Sequence, residues 1–163
     1  MIDTHAHIYS EEFSEDRKDM LERAFGMGVS QIYMPNIDSK SIEGMLELEE
    51  AYPGKCHAMM GLHPCSVGEN FEEELKIAED WWGKRSFAGV GEMGLDLYWD
   101  KTFFEQQQEA FRIQADWAKK YEKPLIIHTR EAMQETIAML EELQDEELFG
   151  VVHCFTGNLD DAK

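Results

Sequence analysis

The sequence predicts an α/β protein built as a TIM (β/α) barrel, with about six of its eight βα units present. Three observations lead there. Short β-branched or apolar runs alternate from end to end with longer amphipathic stretches, the pattern of βαβ units on a parallel sheet. The alternation recurs at roughly the spacing of a barrel repeat. Five of the six histidines and one glutamate fall at or just past the C-terminal ends of the predicted strands, where the loops of a barrel converge on one mouth.

In chain order, strands are expected over Ile2 to His7, Ser30 to Pro35, Cys56 to Leu62, Ala88 to Gly91, Leu125 to His128 and Val151 to Phe155. Ser14 is placed to cap a first helix through Phe25, closed by Gly26 and Gly28, and Asp38 or Ser39 to cap a second that stops at Pro53-Gly54. The third helix is expected over Phe71 to Trp82. The fourth, Phe104 to Tyr121, sets Phe104, Gln108, Phe111, Ala115 and Ala118 on one stripe. Pro124 opens the next strand. A fifth helix is expected over Glu131 to Leu143, with Ile137, Leu140 and Leu143 inward, and a sixth begins at Asn158. Six strands are too few to close an eight-stranded barrel, which usually takes about 250 residues.

At 163 residues, 43% hydrophobic and 11% aromatic, the chain suits a single domain, residues 1–163, with a substantial core. Its longest apolar runs are too short for a bilayer, and Met1-Ile2-Asp3-Thr4-His5 has no basic then apolar leader pattern. Cys56, Cys65 and Cys154 are odd in number and without a C-x-x-C, so neither a disulfide framework nor a thiolate zinc cluster is expected. They read as buried or half-buried small apolar residues in a reducing, cytoplasmic setting. The formal charge of −19 opposes polyanions, so a phosphate substrate requires local positive charge, which divalent cations can supply.

The candidate residues follow from their places on the strands. His5 and His7 alternate on the first strand and point to one side, where both can grip one ion, or else pack or meet solvent. Glu92 lies within Gly89-Val90-Gly91-Glu92-Met93-Gly94. There it is either a carboxylate beside a cation or a surface turn. His128 and His153, each behind an apolar run, read singly as core histidines and jointly as ligands. His63, made rigid by Pro64, is a substrate ligand or a loop residue. Arg130 offers a fork of donors to phosphate oxygens, or pairs with Glu131 or another acid. Tyr98 and Trp99 can stack on a base or sugar, or pack. His57, Met59-Met60 and Trp81-Trp82 read as structural.

Five segments in order resemble signatures of the TatD family of metal-dependent deoxyribonucleases: Ile2-Asp3-Thr4-His5-Ala6-His7, Gly61-Leu62-His63-Pro64, Gly91-Glu92-Met93-Gly94-Leu95-Asp96, His128-Thr129-Arg130-Glu131-Ala132 and His153-Cys154-Phe155-Thr156-Gly157. The resemblance implies two divalent ions, Mg, Mn or Zn, with His5, His7 and a carboxylate on one, His128 and His153 on the other, and Glu92 bridging as the catalytic carboxylate. It implies hydrolysis of phosphodiester bonds in DNA from a free end, 3′ to 5′, with His63 and Arg130 binding substrate and Asp96 orienting a ligand. The family also uses an aspartate at the end of its last barrel strand, and no segment before Lys163 supplies one. The chain is therefore expected to be C-terminally truncated, with open sheet edges that favour self-association. The alternatives are a metallo-hydrolase of a small ester, lactone or amide, and a noncatalytic half-barrel that serves as an interaction subunit.

Overall fold

The computed structural model describes all 163 residues. Six strands alternate with five α-helices: β1 (Ile2–Asp3), α1 (Arg17–Gly26), β2 (Gln31–Pro35), α2 (Ile42–Ala51), β3 (Cys56–Met59), α3 (Phe71–Trp82), β4 (Val90–Asp96), α4 (Phe104–Tyr121), β5 (Leu125–Arg130), α5 (Met133–Leu143) and β6 (Gly150–Val152). The strands form two three-stranded sheets, β1-β2-β3 and β4-β5-β6, and every pairing is parallel. A bridge from Met60 to Val90 joins them. There Met60 N donates to Gly89 O at 3.0 Å and Gly91 N to Met60 O at 3.1 Å, so the strands follow one another in chain order. The array does not close, and β1 and β6 each pair along one side only.

The helices form where apolar spacing and end signals agree. In α3, Phe71, Leu75, Ala78 and Trp82 are buried, while Glu72, Glu73 and Glu74 occupy the first turn, where the helix dipole favours negative charge. In α4 the last turn carries Lys119 and Lys120, and Glu122, at φ 53°, turns the chain out. Its buried face is centred on Gln107, Ala110, Phe111, Gln114, Ala115 and Ala118, slightly rotated from the expected stripe, so that Gln108 is half-buried. On α5 it is Thr136 and Met139 that are buried, with Ile137, Leu140 and Leu143 half-buried beside them. One cluster of 30 buried residues fills the space between strands and helices. No helix is long and apolar enough to cross a membrane.

Several boundaries differ from expectation for identifiable reasons. β1 ends at Asp3 because the Asp3 side chain accepts the His5 N–H at 3.1 Å and pulls the chain from the ladder, which Ala6 N rejoins at Tyr33 O. α1 begins at Arg17 rather than after Ser14: the Arg17 guanidinium is spent on the carbonyls of Ile8, Tyr9 and Ser10. The cap of α2 is Ser41, three residues past Asp38. β4 starts where the sequence suggests a strand ending, since its glycines make close approaches rather than a turn. At Gly94, φ 143°, a Cβ would overlap the His128 carbonyl oxygen. From Asn158 the chain makes turns, with Asn158 Oδ1 accepting from Asp160 N and Asp161 N as a helix-capping residue does. Of the cysteines only Cys56 is buried; Cys65, in a 3-10 turn after β3, and Cys154, just past β6, are exposed.

Candidate metal centre

Glu92 stands in the middle of β4, a strand buried along its whole length, and is itself 2% exposed. A carboxylate so placed needs compensating partners. They come from three other segments. The stretch after β1 brings His5 and His7, whose Nε2 atoms each lie 2.9 Å from Glu92 Oε2. The pairing of Gly94 with His128 across β4 and β5 sets His128 Nδ1 3.0 Å from Oε1. His63, at the start of a 3-10 turn over Pro64–Ser66, approaches Oε1 with Nε2 at 3.6 Å.

The outward nitrogens of these rings decide what the inward ones can do. The Tyr9 hydroxyl donates to Pro35 O at 2.5 Å, so it can only accept from His7 Nδ1, 2.8 Å away. Burial pushes the Tyr9 phenol well above its usual range, so it keeps that proton. Neutral His7 therefore turns a lone pair toward Glu92. Asp96 does the same for His128, since its carboxylate takes His128 Nε2 at 2.8 Å on Oδ2 and the backbone N–H groups of Tyr98 and Trp99 on Oδ1. Asp96 is fixed in turn by Gln107, which accepts from Asp96 N and donates to Asp96 O. His63 is the opposite case. Its Nδ1 accepts from Cys65 N at 3.1 Å, so the neutral ring carries its proton on Nε2 and points a donor inward.

Two lone pairs thus face the two oxygens of one carboxylate, contacts that repel unless positive charge lies between. Protons supply part of it. Burial lowers the affinity of His128 for its proton, but Glu92 and Asp96 outweigh that and raise its pKa. Burial likewise opposes ionisation of Glu92, yet the four imidazoles gathered around it, His128, His5, His63 and His7, hold its carboxyl below the usual range. Protons cannot supply all of it, because His5 Nε2 and His7 Nε2 are 3.3 Å apart and two imidazolium N–H groups there would collide and repel. The buried Nδ1 of His5 has no partner either. Divalent cations resolve these conflicts. Two sets of ring nitrogens and carboxylate oxygens, His5/His7/Glu92 and His63/Glu92/His128, each lie close enough together to surround an ion; in the second, the proton on His63 Nε2 leaves Glu92 and His128 as the ligands, and imidazole with carboxylate suits zinc or manganese.

Of the residues singled out from sequence, His5, His7, Glu92, His128 and His63 meet at this point. His153 does not join either set. Its ring stacks on His5 with centroids 3.6 Å apart and planes 10° apart, and burial, reinforced by His5, lowers its pKa. Arg130 lies exposed at the end of β5 with its guanidinium 3.7 Å over the Tyr98 ring. His57 stacks on Tyr33 near the start of β3, away from the centre. Sequence reading missed Tyr9 and Gln107. The available signals were a hydroxyl two residues past His7 and an amide on the apolar face of α4.

The profile of the family described as TatD related DNase matches residues 2–163. The chain is 34% identical over its full length to an uncharacterized metal-dependent hydrolase, YabD of Bacillus subtilis, covering 64% of that protein. It is 30% identical over its full length to a 3′-5′ ssDNA/RNA exonuclease, TatD of Pantoea vagans, covering 63% of it. The crystal structure of YjjV, a TatD homologue from Escherichia coli, superposes on 99% of the chain with a TM-score of 0.88 at 34% identity, and the chain covers 62% of that structure. The chain thus spans just under two thirds of the length of these relatives. Ordered motifs, strand-end histidines and full-length matches agree: the chain belongs to the TatD related DNase family of metal-dependent hydrolases.

Proposed function

We propose that the chain carries the metal-holding part of a phosphodiesterase that trims single-stranded nucleic acid from a 3′ end, the activity named for its Pantoea relative. The observation that carries the reading is the pair of imidazole lone pairs, His7 Nε2 and His128 Nδ1, aimed at opposite oxygens of Glu92. His5, His7 and Glu92 would hold one divalent ion, and Glu92 and His128 a second. The family resemblance assigns His153 to that second ion, and its ring lies at the same rim, stacked on His5. Such ions supply Lewis acidity at a phosphoryl oxygen and lower the pKa of water.

The remaining chemistry belongs to the side chains. Glu92, whose oxygens face His5 and His7 on one side and His128 on the other, would hold both cations. Asp96 and Tyr9 fix the tautomers of His128 and His7. His63 Nε2–H and the Arg130 guanidinium offer donors to non-bridging phosphate oxygens. The unpaired edges of β1 and β6, the latter with Val151 58% exposed, are where we propose that the parallel array is extended toward a (β/α) barrel.

The test compares nucleotide release from single-stranded DNA with hydrolysis of a simple carboxylic ester, each with Mg²⁺ or Mn²⁺ and with a chelator, on the full-length protein. Metal-dependent release of mononucleotides is expected. Metal-dependent ester hydrolysis without nucleotide release would move the reading to small esters, which the charge of −19 favours over a polyanion.

A further inference from the structure

Beside the centre lies a feature that none of the metal chemistry uses. Tyr98 and Trp99 follow β4 directly and are 52% and 70% exposed, large aromatic surfaces that the core does not claim. Their rings meet edge to face at 4.8 Å and 87°. The Arg130 guanidinium lies 3.7 Å over the Tyr98 ring and 5.3 Å from that of Trp99, held by rings rather than by a carboxylate. The backbone of the ledge is bolted to the centre, because Asp96 Oδ1 accepts the N–H groups of Tyr98 and Trp99 while Oδ2 takes His128 Nε2. Trp99 also closes one wall of a cavity of about 210 Å³, with Pro64, Val67 and Phe103 on its apolar sides.

We propose that Tyr98, Trp99 and Arg130 form a base-stacking subsite that holds one nucleobase of a single-stranded substrate against Trp99 while Arg130 meets a neighbouring phosphate. The proposal rests on the phosphodiesterase reading and adds to it what the enzyme recognises beyond phosphate. Every base has a π-face, so such a ledge grips a strand without regard to sequence. A cation already seated on an aromatic ring strengthens the platform and keeps its donors free at the rim. On a chain with a large excess of acid, the ledge also supplies affinity that owes nothing to net charge. Its rigid link through Asp96 means that a stacked base fixes the position of the adjoining phosphodiester relative to Glu92 and His128.

The test is a binding measurement that needs no turnover. Fluorescence anisotropy compares a labelled thymidine oligonucleotide with an abasic oligonucleotide of the same length, both with phosphorothioate linkages, on the full chain loaded with Mn²⁺. The wild type should bind the base-bearing strand about tenfold more tightly, corresponding to ~1.4 kcal/mol. Trp99→Ala should remove most of that ratio and Trp99→Phe should keep it, and the exposure of Trp99 lets both variants fold. Equal affinity for the two strands in the wild type, a ratio unchanged in Trp99→Ala, or no binding of either strand overturns the subsite. Nucleotide release with an unchanged ratio in Trp99→Ala would defeat the ledge and leave the phosphodiesterase intact, whereas a base preference without metal-dependent release would do the reverse.

Discussion

Replacing Tyr9 by Phe removes one oxygen that makes two contacts, accepting from His7 Nδ1 at 2.8 Å and donating to Pro35 O at 2.5 Å. The ring is 7% exposed and stays in place, so the packing loss is small. Two consequences separate cleanly. Loss of a buried hydrogen bond should lower the stability of the chelated protein by ~1–2 kcal/mol. Loss of the partner that fixes a metal-ligating imidazole should lower metal affinity by about 10- to 100-fold, or ~1.4–2.7 kcal/mol. Calorimetric titration of Mn²⁺ into wild type and Tyr9→Phe reads the second, and thermal unfolding in chelator reads the first. Because burial keeps the phenol protonated, the affinity difference should be the same at pH 6 and pH 9 once the proton uptake of the histidines is matched. An affinity unchanged in Tyr9→Phe, with only the stability reduced, would refute the tautomer argument on which the metal centre rests.

Three further outcomes follow from the same geometry. With metal chelated, the raised pKa of His128 means that its pairing with Glu92 and Asp96 stabilises the fold fully below its unfolded value of about 6.5 and that this is lost as pH rises through the folded value. Asp96→Asn should lower that folded value, and a histidine titration followed by NMR that shows no downward move would contradict the assignment. Gly94→Ala should cost roughly 2–5 kcal/mol in urea unfolding, since a Cβ at φ 143° meets the His128 carbonyl and forces β5 away from β4; a stability within experimental error of wild type would show that the approach is looser than it looks. The unpaired edge of β6, flanked by Phe149 at 55% exposure, should make the 163-residue chain self-associate, so light scattering that gives a monomer of 18.9 kDa across a wide concentration range would count against an open edge.

Much of the frame was readable because local and tertiary signals coincide. Phe71–Trp82 and Phe104–Tyr121 come out with the bounds expected, since in each an amphipathic stripe is framed by its own end residues. The gathering of histidines followed from strand polarity alone: residues after parallel strands share one rim whatever their separation in sequence. What could not be read was set by contacts between segments. The glycines of β4 admit either a turn or a close backbone approach, and it is β5 laid against them that makes their lack of a side chain a condition for pairing. The inward role of Gln107 depends on Asp96 N and O lying within its reach, and that of Tyr9 on Pro35 O, and neither acceptor has a signature in its own segment. Position after a strand brings His153 to the same rim, whereas its ring orientation, stacked on the face of His5, depends on a neighbour from another segment.

The charge of the chain and the charge of its proposed substrate can be reconciled by where the acid sits. Of 34 acidic residues only Glu92 and Asp96 are buried, and both belong to the centre. The others meet solvent, where salt at physiological strength confines their fields to within about 8 Å. At the centre bound cations would reverse the balance, since only two carboxylates, Glu92 and Asp96, are buried there among several imidazoles. A phosphodiester, the substrate proposed above, would then meet positive charge at short range, the His63 donor and Arg130, and an aromatic ledge indifferent to charge. On the proposed reading cations would bind before the strand, because without them a phosphate meets a buried carboxylate and an acidic surface.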